Sequence, residues 1–342
     1  MQYLKSLNKI LKITGNRDEN SFPINDLSYE HIKFEDFHQR YIYDIEISKK
    51  ILSSQNHISL KFYEKILTDT RYGALKKVSN RLLLFQEDKH HDSLKRQLFQ
   101  ELKILEKHIK SNYDFKSSFD KALLNNPKST FEFCEIYNYQ LFNKILNFYL
   151  QTKIDIKEIS KIDFFNSFPK HSTLNNLNIY CEEILGILNS NNSLTGVKKQ
   201  LILVLFLMGW DPLIASTIAL INNLKKNLEE TNFNYSLALE RTQKINFSNI
   251  LPVNFTMRKC ISSEKIIDIN FNKGDISYLF LGSSKCPFSK ATSIPFGFGK
   301  HKCPGEKLSL SIFNLTMESL QNLSNENISK ISKLKMSNVK KK

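Results

Sequence analysis

The stretch from Phe296 to Gly305 constrains this chain more than any other part of its sequence. It reads Phe-Gly-Phe-Gly-Lys-His-Lys-Cys-Pro-Gly and matches the pattern Phe-x-x-Gly-x-His-x-Cys-x-Gly. A thiolate on iron needs backbone N–H groups aimed at its sulfur, and the chain beside Cys303 must turn tightly to present them. Gly299 and Gly305 permit that turn. The pattern therefore indicates a cradle for a haem-ligating thiolate, with a buried apolar thiol as the alternative for Cys303.

This stretch resembles the cysteine loop of the cytochrome P450 family of haem-thiolate monooxygenases. The resemblance implies haem b with its iron held by Cys303, its other face open to dioxygen and substrate, and sulfur electron donation that favours O–O cleavage. It implies that Phe296 contacts the cofactor and that His301 binds a haem propionate. A loop histidine facing water is the alternative for His301. From Lys307 to Leu323 the apolar spacing predicts a helix packed under the haem.

A second constraint is the run from Leu201 to Ile221, which is apolar on every side. Such a helix is either a membrane span or the central helix of a large core. Asp211 and Pro212 lie in the middle of the run, where a bilayer would surround both a charge and a freed carbonyl with hydrocarbon. The sequence therefore predicts a core helix that is kinked beside a cavity, and no stable membrane span.

The same run resembles the long central helix of cytochromes P450, where an Ala/Gly-Gly-x-Asp/Glu-Thr-Thr pattern lines the oxygen pocket. Here the sequence is Met-Gly-Trp-Asp-Pro-Leu, so Gly209, Asp211 and Pro212 are the candidate catalytic residues. Pro212 replaces the first Thr of the family, whose hydroxyl helps to deliver protons. We expect Pro212 to open the helix and Asp211 to act as a proton relay. An Asp-Pro pair that only shapes the core is the alternative.

Two further segments carry candidate cofactor-binding residues. Leu251 to Arg258 resembles the strand in which a Pro-Val pair precedes an Arg that binds a propionate, and a guanidinium suits a carboxylate. Asp88 to Leu98 resembles the helix on which the family places a His and, four residues later, an Arg. These positions are His91 and Lys95 here, and their spacing puts both on one helical face. A surface role is the alternative for each segment.

One feature of the family is missing. The helix before the Pro-Val segment normally carries Glu-x-x-Arg, but no Arg in this chain has a Glu three residues before it. Glu240 and Gln243 are the nearest remnant, and a hydrogen bond between them would hold a similar geometry with less electrostatic gain.

Composition fits a mainly helical fold like that of cytochromes P450, with small β-sheets and the haem between the central helix and the cysteine-loop helix. A chain of 342 residues with 41% apolar content can build one large core. Short β-type runs occur near Leu251 to Phe255 and near Ile266 to Leu281. We expect one domain over residues 1–328 and a basic, frayed tail over residues 329–342.

Cysteine usage and charge bear on compartment and partners. Five Cys without a Cys-x-x-Cys pair, and no signal peptide, indicate a reducing cytoplasm. The net charge of +15 comes without motifs for nucleic acid, so we expect no nucleic-acid partner. Lys300, Lys302 and Lys307 would surround the cysteine and fit an acidic ferredoxin or flavodoxin as electron donor. Lysine enrichment through codon bias is the alternative.

Together these features predict a haem-thiolate oxidoreductase of the monooxygenase type that oxidises a small organic substrate in bacterial biosynthesis. Two alternatives stay open. Pro212 favours a peroxide-using or rearranging haem-thiolate enzyme. The missing Glu-x-x-Arg and the short chain favour a haem-binding partner or sensor without turnover.

Overall fold

Helices form most of this molecule. A computed structural model describes residues 29–33, 38–59, 70–83, 86–87, 90–150, 171–245, 255–281 and 293–337. The α-helices of these residues are α1 (Ile45–Ser53), α2 (Gly73–Arg81), α3 (His90–Asn112), α4 (Phe115–Leu124), α5 (Thr130–Leu150), α6 (His171–Ser190), α7 (Gly196–Val204), α8 (Trp210–Glu230), α9 (Tyr235–Gln243), α10 (Glu306–Leu320) and α11 (Asn325–Lys333). Side-chain caps fix several of their starts, because an oxygen of Asp44, Asp114, Thr195, Asn234 or Ser324 accepts a backbone N–H of the first turn.

The central helix is the continuous helical stretch Gly196–Glu230, formed by α7, a short π-helical turn and α8. It is the one described helix long and apolar enough to span a membrane, but 67% of its most apolar window is buried by other parts of the protein. Phe142 of α5 meets the Trp210 ring edge-on, with ring centroids 4.6 Å apart. Asn138 of α5 donates to the hydroxyl of Thr217 at 3.3 Å. The predicted core helix is confirmed.

The expected kink takes the form of a wider helical turn. Leu205–Gly209 is π-helical, and α8 begins immediately after it at Trp210. Pro212 lies in the first turn of α8, where its missing N–H cannot serve the carbonyl one turn earlier. A π-helical turn accommodates this loss without breaking the helix, and such turns often occur at functional sites.

A small sheet packs beside the helices. Among the described residues five strands pair in the order β1-β2-β7-β4-β3, with β2 and β7 parallel and the other pairs antiparallel. These strands, and the two that form the hairpin β5–β6, are β1 (Tyr29–Lys33), β2 (His38–Ile42), β3 (His57–Ser59), β4 (Phe255–Cys260), β5 (Glu264–Ile266), β6 (Ile269–Phe271) and β7 (Ile276–Phe280). The predicted β-type run near Ile266 to Leu281 is confirmed. The strand predicted near Leu251 ends later in the chain than expected, at Cys260. Residues 251–254, which include the Pro-Val pair, lie outside the described residues.

The two faces of the sheet differ in chemistry. On one face Tyr41 of β2 and Tyr278 of β7 stack with ring centroids 5.0 Å apart. On the other face a cross-strand row places Ser277 of β7 between Arg40 and Arg258, and Ser59 of β3 opposite Arg258. All four side chains of this row are buried. Asp275 binds the Arg40 guanidinium at 3.1 and 3.3 Å, so Arg40 is neutralised within the sheet.

The helix that follows the cysteine loop forms as predicted, with the bounds Glu306–Leu320. It packs against α3, α4 and α8. The hydroxyl of Thr316 in this helix lies 3.0 Å from the buried hydroxyl of Tyr137 in α5. The cysteine loop is therefore followed by a helix that several other helices hold in place.

The remnant of the missing Glu-x-x-Arg does not tie α9 to the core. Glu240 pairs with Lys244 at 2.8 Å, and both Glu240 and Gln243 are exposed. The helix is held in another way: Asn227 of α8 donates to the buried hydroxyl of Thr242 at 2.9 Å, and Tyr235 donates to the carbonyl of Leu320. The expected Glu–Gln contact is thus replaced by hydrogen bonds to α8 and α10.

Part of the segment expected to be a frayed tail is folded. Helix α11 continues to Lys333, and Ile331 is fully buried. Beyond it, Lys335 exchanges backbone hydrogen bonds with Lys128 and Thr130 at 3.0 Å each. The apolar spacing of α11 buries one face of a polar, lysine-rich segment, which composition alone did not indicate. Residues 338–342 lie outside the described residues.

Candidate cofactor site

The cysteine loop is closed by its own backbone. The N–H of Cys303 donates to the carbonyl of Phe296 at 2.8 Å, and the N–H of Lys302 donates to the carbonyl of Gly299 at 3.1 Å. Residues Gly299–His301 form a 3₁₀ turn, which lies within the segment that these two bonds close. Cys303 therefore lies at a fixed position, two residues before the N-terminal cap of α10 at Gly305.

Two glycines of the loop adopt backbone angles that other residues avoid, with φ of 71° at Gly297 and 69° at Gly299. At Gly299 the reason is also steric. A Cβ there would lie 2.5 Å from the carbonyl oxygen of Leu52 in α1. At Gly305 a Cβ would lie 3.7 Å from the sulfur of Cys303. The loop thus touches α1 on one side and leaves room around the sulfur on the other.

The pKa of the Cys303 thiol is raised overall, and burial is the largest cause. Burial raises the pKa of the Cys303 thiol and Glu306 raises it further, while a hydrogen bond from the Gly305 backbone and the charges of Lys95 and Lys302 lower that pKa. The start of α10 contributes the positive end of a helix dipole. A metal cation deprotonates a coordinating thiol outright. Without a cation at the sulfur, burial therefore favours the neutral thiol, and a bound cation would favour the thiolate.

Two of the predicted cofactor-binding residues lie side by side. The rings of His91 in α3 and His301 in the cysteine loop have centroids 4.7 Å apart. His91 is fully buried, and its Nδ1 lies 2.9 Å from a carboxylate oxygen of Asp92. Burial lowers the pKa of His301. Its Nδ1 is buried and has no hydrogen-bond partner among the described residues.

Arg258 lies on the buried polar row of the sheet and is 3% exposed. Its Nη1 donates to the hydroxyl of Thr256 at 3.0 Å and to the carbonyl of Met257 at 2.8 Å, while its Nε has no hydrogen-bond partner within the described part of the chain. Burial lowers the pKa of Arg258 to about 10, and the charge of Glu87 opposes this shift. The charge of Arg258 in turn lowers the pKa of His301, which puts the two groups in one cluster.

Lys95 is on the same helix as His91 and reaches the cysteine loop. Its ammonium donates to the carbonyl of Lys300. Burial lowers the pKa of Lys95 and the charge of Lys302 lowers it further, whereas Asp92 and Cys303 raise it. Lys95 therefore adds a positive charge near the sulfur. Asp88 and Lys89, at the start of the predicted helix segment, lie outside the described residues.

Glu87 is a member of this cluster that the sequence did not reveal. Its carboxylate lies 3.0 Å from Nε2 of His301, accepts the backbone N–H of Ser59 at 3.0 Å and accepts Lys300 Nζ at 3.3 Å. It belongs to no motif in the sequence, and its partners are 28 and more than 200 residues away along the chain. No local pattern could have identified it.

The central helix supplies the candidate catalytic residues. From Leu201 to Ile214 most residues are buried, and the partly exposed ones are Val204, Met208, Gly209, Asp211, Pro212 and Leu213. Val204, Met208 and Pro212 recur at helical spacing and so share one face. The two hydroxyls that follow Pro212 are already used, because Ser216 and Thr217 both donate to the carbonyl of Leu213 at 2.9 Å.

Asp211 and Gly209 differ in what they contact. Burial raises the pKa of Tyr180 in α6 well above its usual value, and the negative charge of Asp211 adds to that shift, so Asp211 lies near this phenol. At Gly209 a side chain would point toward Leu205 and the ring of Phe142. Asp211 therefore offers an ionisable group beside the π-helical turn, whereas Gly209 offers backbone only.

The residues of this cluster fit a haem. A haem presents two carboxylates at one edge and an iron that takes an axial thiolate. Arg258 Nε and His301 Nδ1 are buried polar atoms whose hydrogen bonds within the described residues are incomplete, and such atoms cost free energy until they find partners. Carboxylates there would complete both, while Cys303 supplies the sulfur. His91 and Lys95 border the same region.

Comparison with known proteins gives a result for fold and none for sequence. No protein-family model matches the chain, and no curated protein matches it significantly. P450BioI, in complex with an acyl carrier protein ligated to hexadec-9Z-enoic acid, superposes with a TM-score of 0.62 at 14% identity over 94% of this chain and 92% of that chain. OxyA from Actinoplanes teichomyceticus gives 0.62 at 12% identity over 93% and 90%. PksS, the cytochrome P450 of the Bacillus subtilis 168 bacillaene polyketide synthase, gives 0.59 at 12% identity over 93% and 89%.

At these identities the likeness establishes the fold. This chain has the cytochrome P450 fold, and it spans nearly the full length of each of these structures. The mainly helical class with small sheets, predicted from the sequence, is confirmed.

The contact between Gly299 and α1 yields a prediction. Gly297→Ala should lower the free energy of unfolding by about 1 to 2 kcal/mol, the cost of a left-handed backbone for a residue with a Cβ. Gly299→Ala has the same backbone cost and must also displace the Leu52 carbonyl, so its loss should be about twice as large or more. Urea unfolding of both variants measures this difference. Equal losses would contradict the close approach of the loop to α1.

Proposed function

We propose that this chain is a haem-thiolate oxidoreductase of the monooxygenase type that oxidises a small organic substrate. The observation that supports it most is the closed cysteine loop, in which Cys303 precedes α10 while His301 lies against His91. The cytochrome P450 fold agrees with this proposal. The absence of Glu-x-x-Arg does not contradict the proposal, because other hydrogen bonds anchor α9.

In this proposal each residue of the cluster has a defined role. Cys303 would hold the haem iron through its sulfur, and Phe296 closes the loop that carries Cys303. His301 and Arg258 bind the propionates of haem b, with His91 and Lys95 beside them. Haem held by a thiolate supplies dioxygen activation, since the sulfur donates electron density that favours O–O cleavage.

Proton delivery is assigned to Asp211. The hydroxyls of Ser216 and Thr217 are committed to the Leu213 carbonyl, so neither replaces the Thr that Pro212 displaces. Asp211 is partly exposed next to the π-helical turn and can hold a water or a polar group of the substrate. Gly209 and Pro212 shape the helix around it. If Asp211 does not relay protons, the peroxide-using alternative is favoured.

The proposal extends to the redox partner and the cellular compartment. Lys300, Lys302 and Lys307 lie on or beside the cysteine loop and would steer an acidic ferredoxin or flavodoxin. Lys302 already pairs with Glu306 at 2.5 Å, so part of this charge is neutralised. Most of the apolar window of the central helix is buried, which supports a cytoplasmic protein. The bacillaene synthase enzyme among the similar structures supports a role in bacterial biosynthesis.

The assignment of Cys303 is tested by replacing it. Cys303→Ala removes the axial sulfur, so the haem-to-protein ratio after purification should fall to near zero, or the remaining haem should lose the ferric spectrum of a thiolate complex. Cys286→Ala is the matched control, since Cys286 also lies in a Cys-Pro dipeptide. Full thiolate haem in Cys303→Ala, together with loss in Cys286→Ala, would transfer the role to Cys286.

The role of Asp211 is tested with a surrogate ferredoxin and reductase. The readouts are the rate of product formation and the coupling efficiency, which is the product formed per NADPH consumed. A positioned general acid contributes about 100-fold or more. Asp211→Asn should therefore slow product formation by about that factor, and more than Pro212→Thr does. Efficient turnover that is indifferent to Asp211 would show that the Asp-Pro pair has a structural role only. Recovery of Asp211→Asn with peroxide would locate the defect in proton delivery.

A further inference from the structure

Three residues from two elements, β3 and the cysteine loop, bind Glu87 within the candidate cofactor site. Strand β3 approaches it through the backbone N–H of Ser59 at 3.0 Å. The cysteine loop approaches it through His301 Nε2 at 3.0 Å and through Lys300, whose ammonium lies 2.9 Å from the Glu87 carbonyl and 3.3 Å from its carboxylate. One residue outside every motif thus joins the sheet to the loop that carries Cys303.

The protonation of this contact follows from the partners. Burial alone would raise the pKa of Glu87, but the bonds from His301 and Ser59 and the charge of Lys300 lower it to about 2. Glu87 is therefore an ionised carboxylate, which accepts hydrogen bonds and cannot donate them. The hydrogen between the two side chains then lies on Nε2 of His301, and Glu87 fixes the rotation of the ring.

Fixing one ring nitrogen determines where the other one points. Nδ1 of His301 is buried and lacks a hydrogen-bond partner among the described residues. The ring packs edge-on against His91, at an interplanar angle of 64°. Without Glu87 the imidazole could turn about its Cβ–Cγ bond, and Nδ1 would lose its direction.

We propose that Glu87 is a positioning residue, which holds the His301 ring through Nε2 so that Nδ1 meets a haem propionate, and which clamps the cysteine loop to β3. This inference rests on the proposed function, because it requires haem as the cofactor. Outer partners that orient a ligand residue typically change cofactor or metal affinity by 10- to 100-fold.

A second interpretation of the same contacts predicts the opposite sign. An anionic carboxylate near Arg258 and His301 would also fill the place of a propionate and would have to leave before haem binds. The contacts favour the first interpretation, because leaving would break the bonds to Ser59 and Lys300 as well as the bond to His301. Removal of a positioning residue weakens haem binding, whereas removal of a competing carboxylate strengthens it.

The experiment follows haem loss from the purified haem protein to an excess of apomyoglobin, which needs no enzymatic turnover. Glu87→Gln keeps the size of the side chain and removes its charge, and haem should be lost about tenfold faster. His301→Ala should also accelerate the loss. Because Glu87 acts through His301, adding Glu87→Gln to His301→Ala should produce little further change. Fully additive effects, unchanged loss or slower loss would each overturn the proposal.

Resonance Raman bands of the haem propionates provide a readout that general destabilisation would leave in place. They should shift in Glu87→Gln, and unshifted bands would contradict the proposal. Glu132→Gln is the matched control, since Glu132 also accepts a backbone N–H, that of Lys128 at 2.8 Å, and none of its hydrogen bonds within the described residues reaches the cysteine loop. It should leave both haem loss and the Raman bands unchanged, and equal effects in both variants would show that any lost carboxylate has the same consequence.

Two further controls keep the result interpretable. If Glu87→Gln does not fold, Glu87→Asp keeps the charge and shortens the side chain by one methylene. Faster haem loss and the same band shift are then expected, and parent-like values would overturn the proposal. If the parent protein itself binds no haem through a thiolate, the proposed function fails, which is a result separate from any effect of Glu87.

Discussion

The arrangement of the whole site depends on how the cysteine loop is held. The hydrogen bond from the Cys303 N–H to the Phe296 carbonyl closes the loop, and Gly299 lets it approach the Leu52 carbonyl more closely than any side chain would allow. Helix α10 begins directly after the loop and is packed by α3, α4 and α8. The sulfur is therefore positioned by backbone contacts on both sides, and this rigidity is what a metal ligand requires.

Around this loop lie three side chains, Arg258, His301 and Lys95, whose charged forms an anion would stabilise. Burial lowers the pKa of Arg258 to about 10 and also lowers those of His301 and Lys95, which means that their charged forms are poorly stabilised by the protein alone. Glu87 supplies one negative charge to this region. The propionates of a haem would supply two more, so cofactor binding and the stability of this corner of the protein are expected to be linked.

Features that depend on residues close together in the sequence were predicted correctly. The spacing of Gly299, His301 and Cys303 indicated the loop, a continuous apolar run predicted the central helix, and apolar periodicity predicted α10. Contacts between residues that are distant in the chain were not predicted: β2 pairs with β7 more than 200 residues away, and Glu87 contacts Lys300 and His301 across a similar distance. The folded part of the expected tail was missed because the single apolar face of α11 is short, and composition there is dominated by lysine.

We propose that Cys303 and the residues around it hold a haem through a thiolate. The absorption spectrum of the reduced protein under carbon monoxide tests this most directly, because the Soret band of a thiolate-ligated haem is shifted far to the red of that of a histidine-ligated haem. We expect the red-shifted band for the parent protein, at a haem-to-protein ratio near one. A band at the histidine-ligated position, or a protein that takes up no haem, would contradict this proposal.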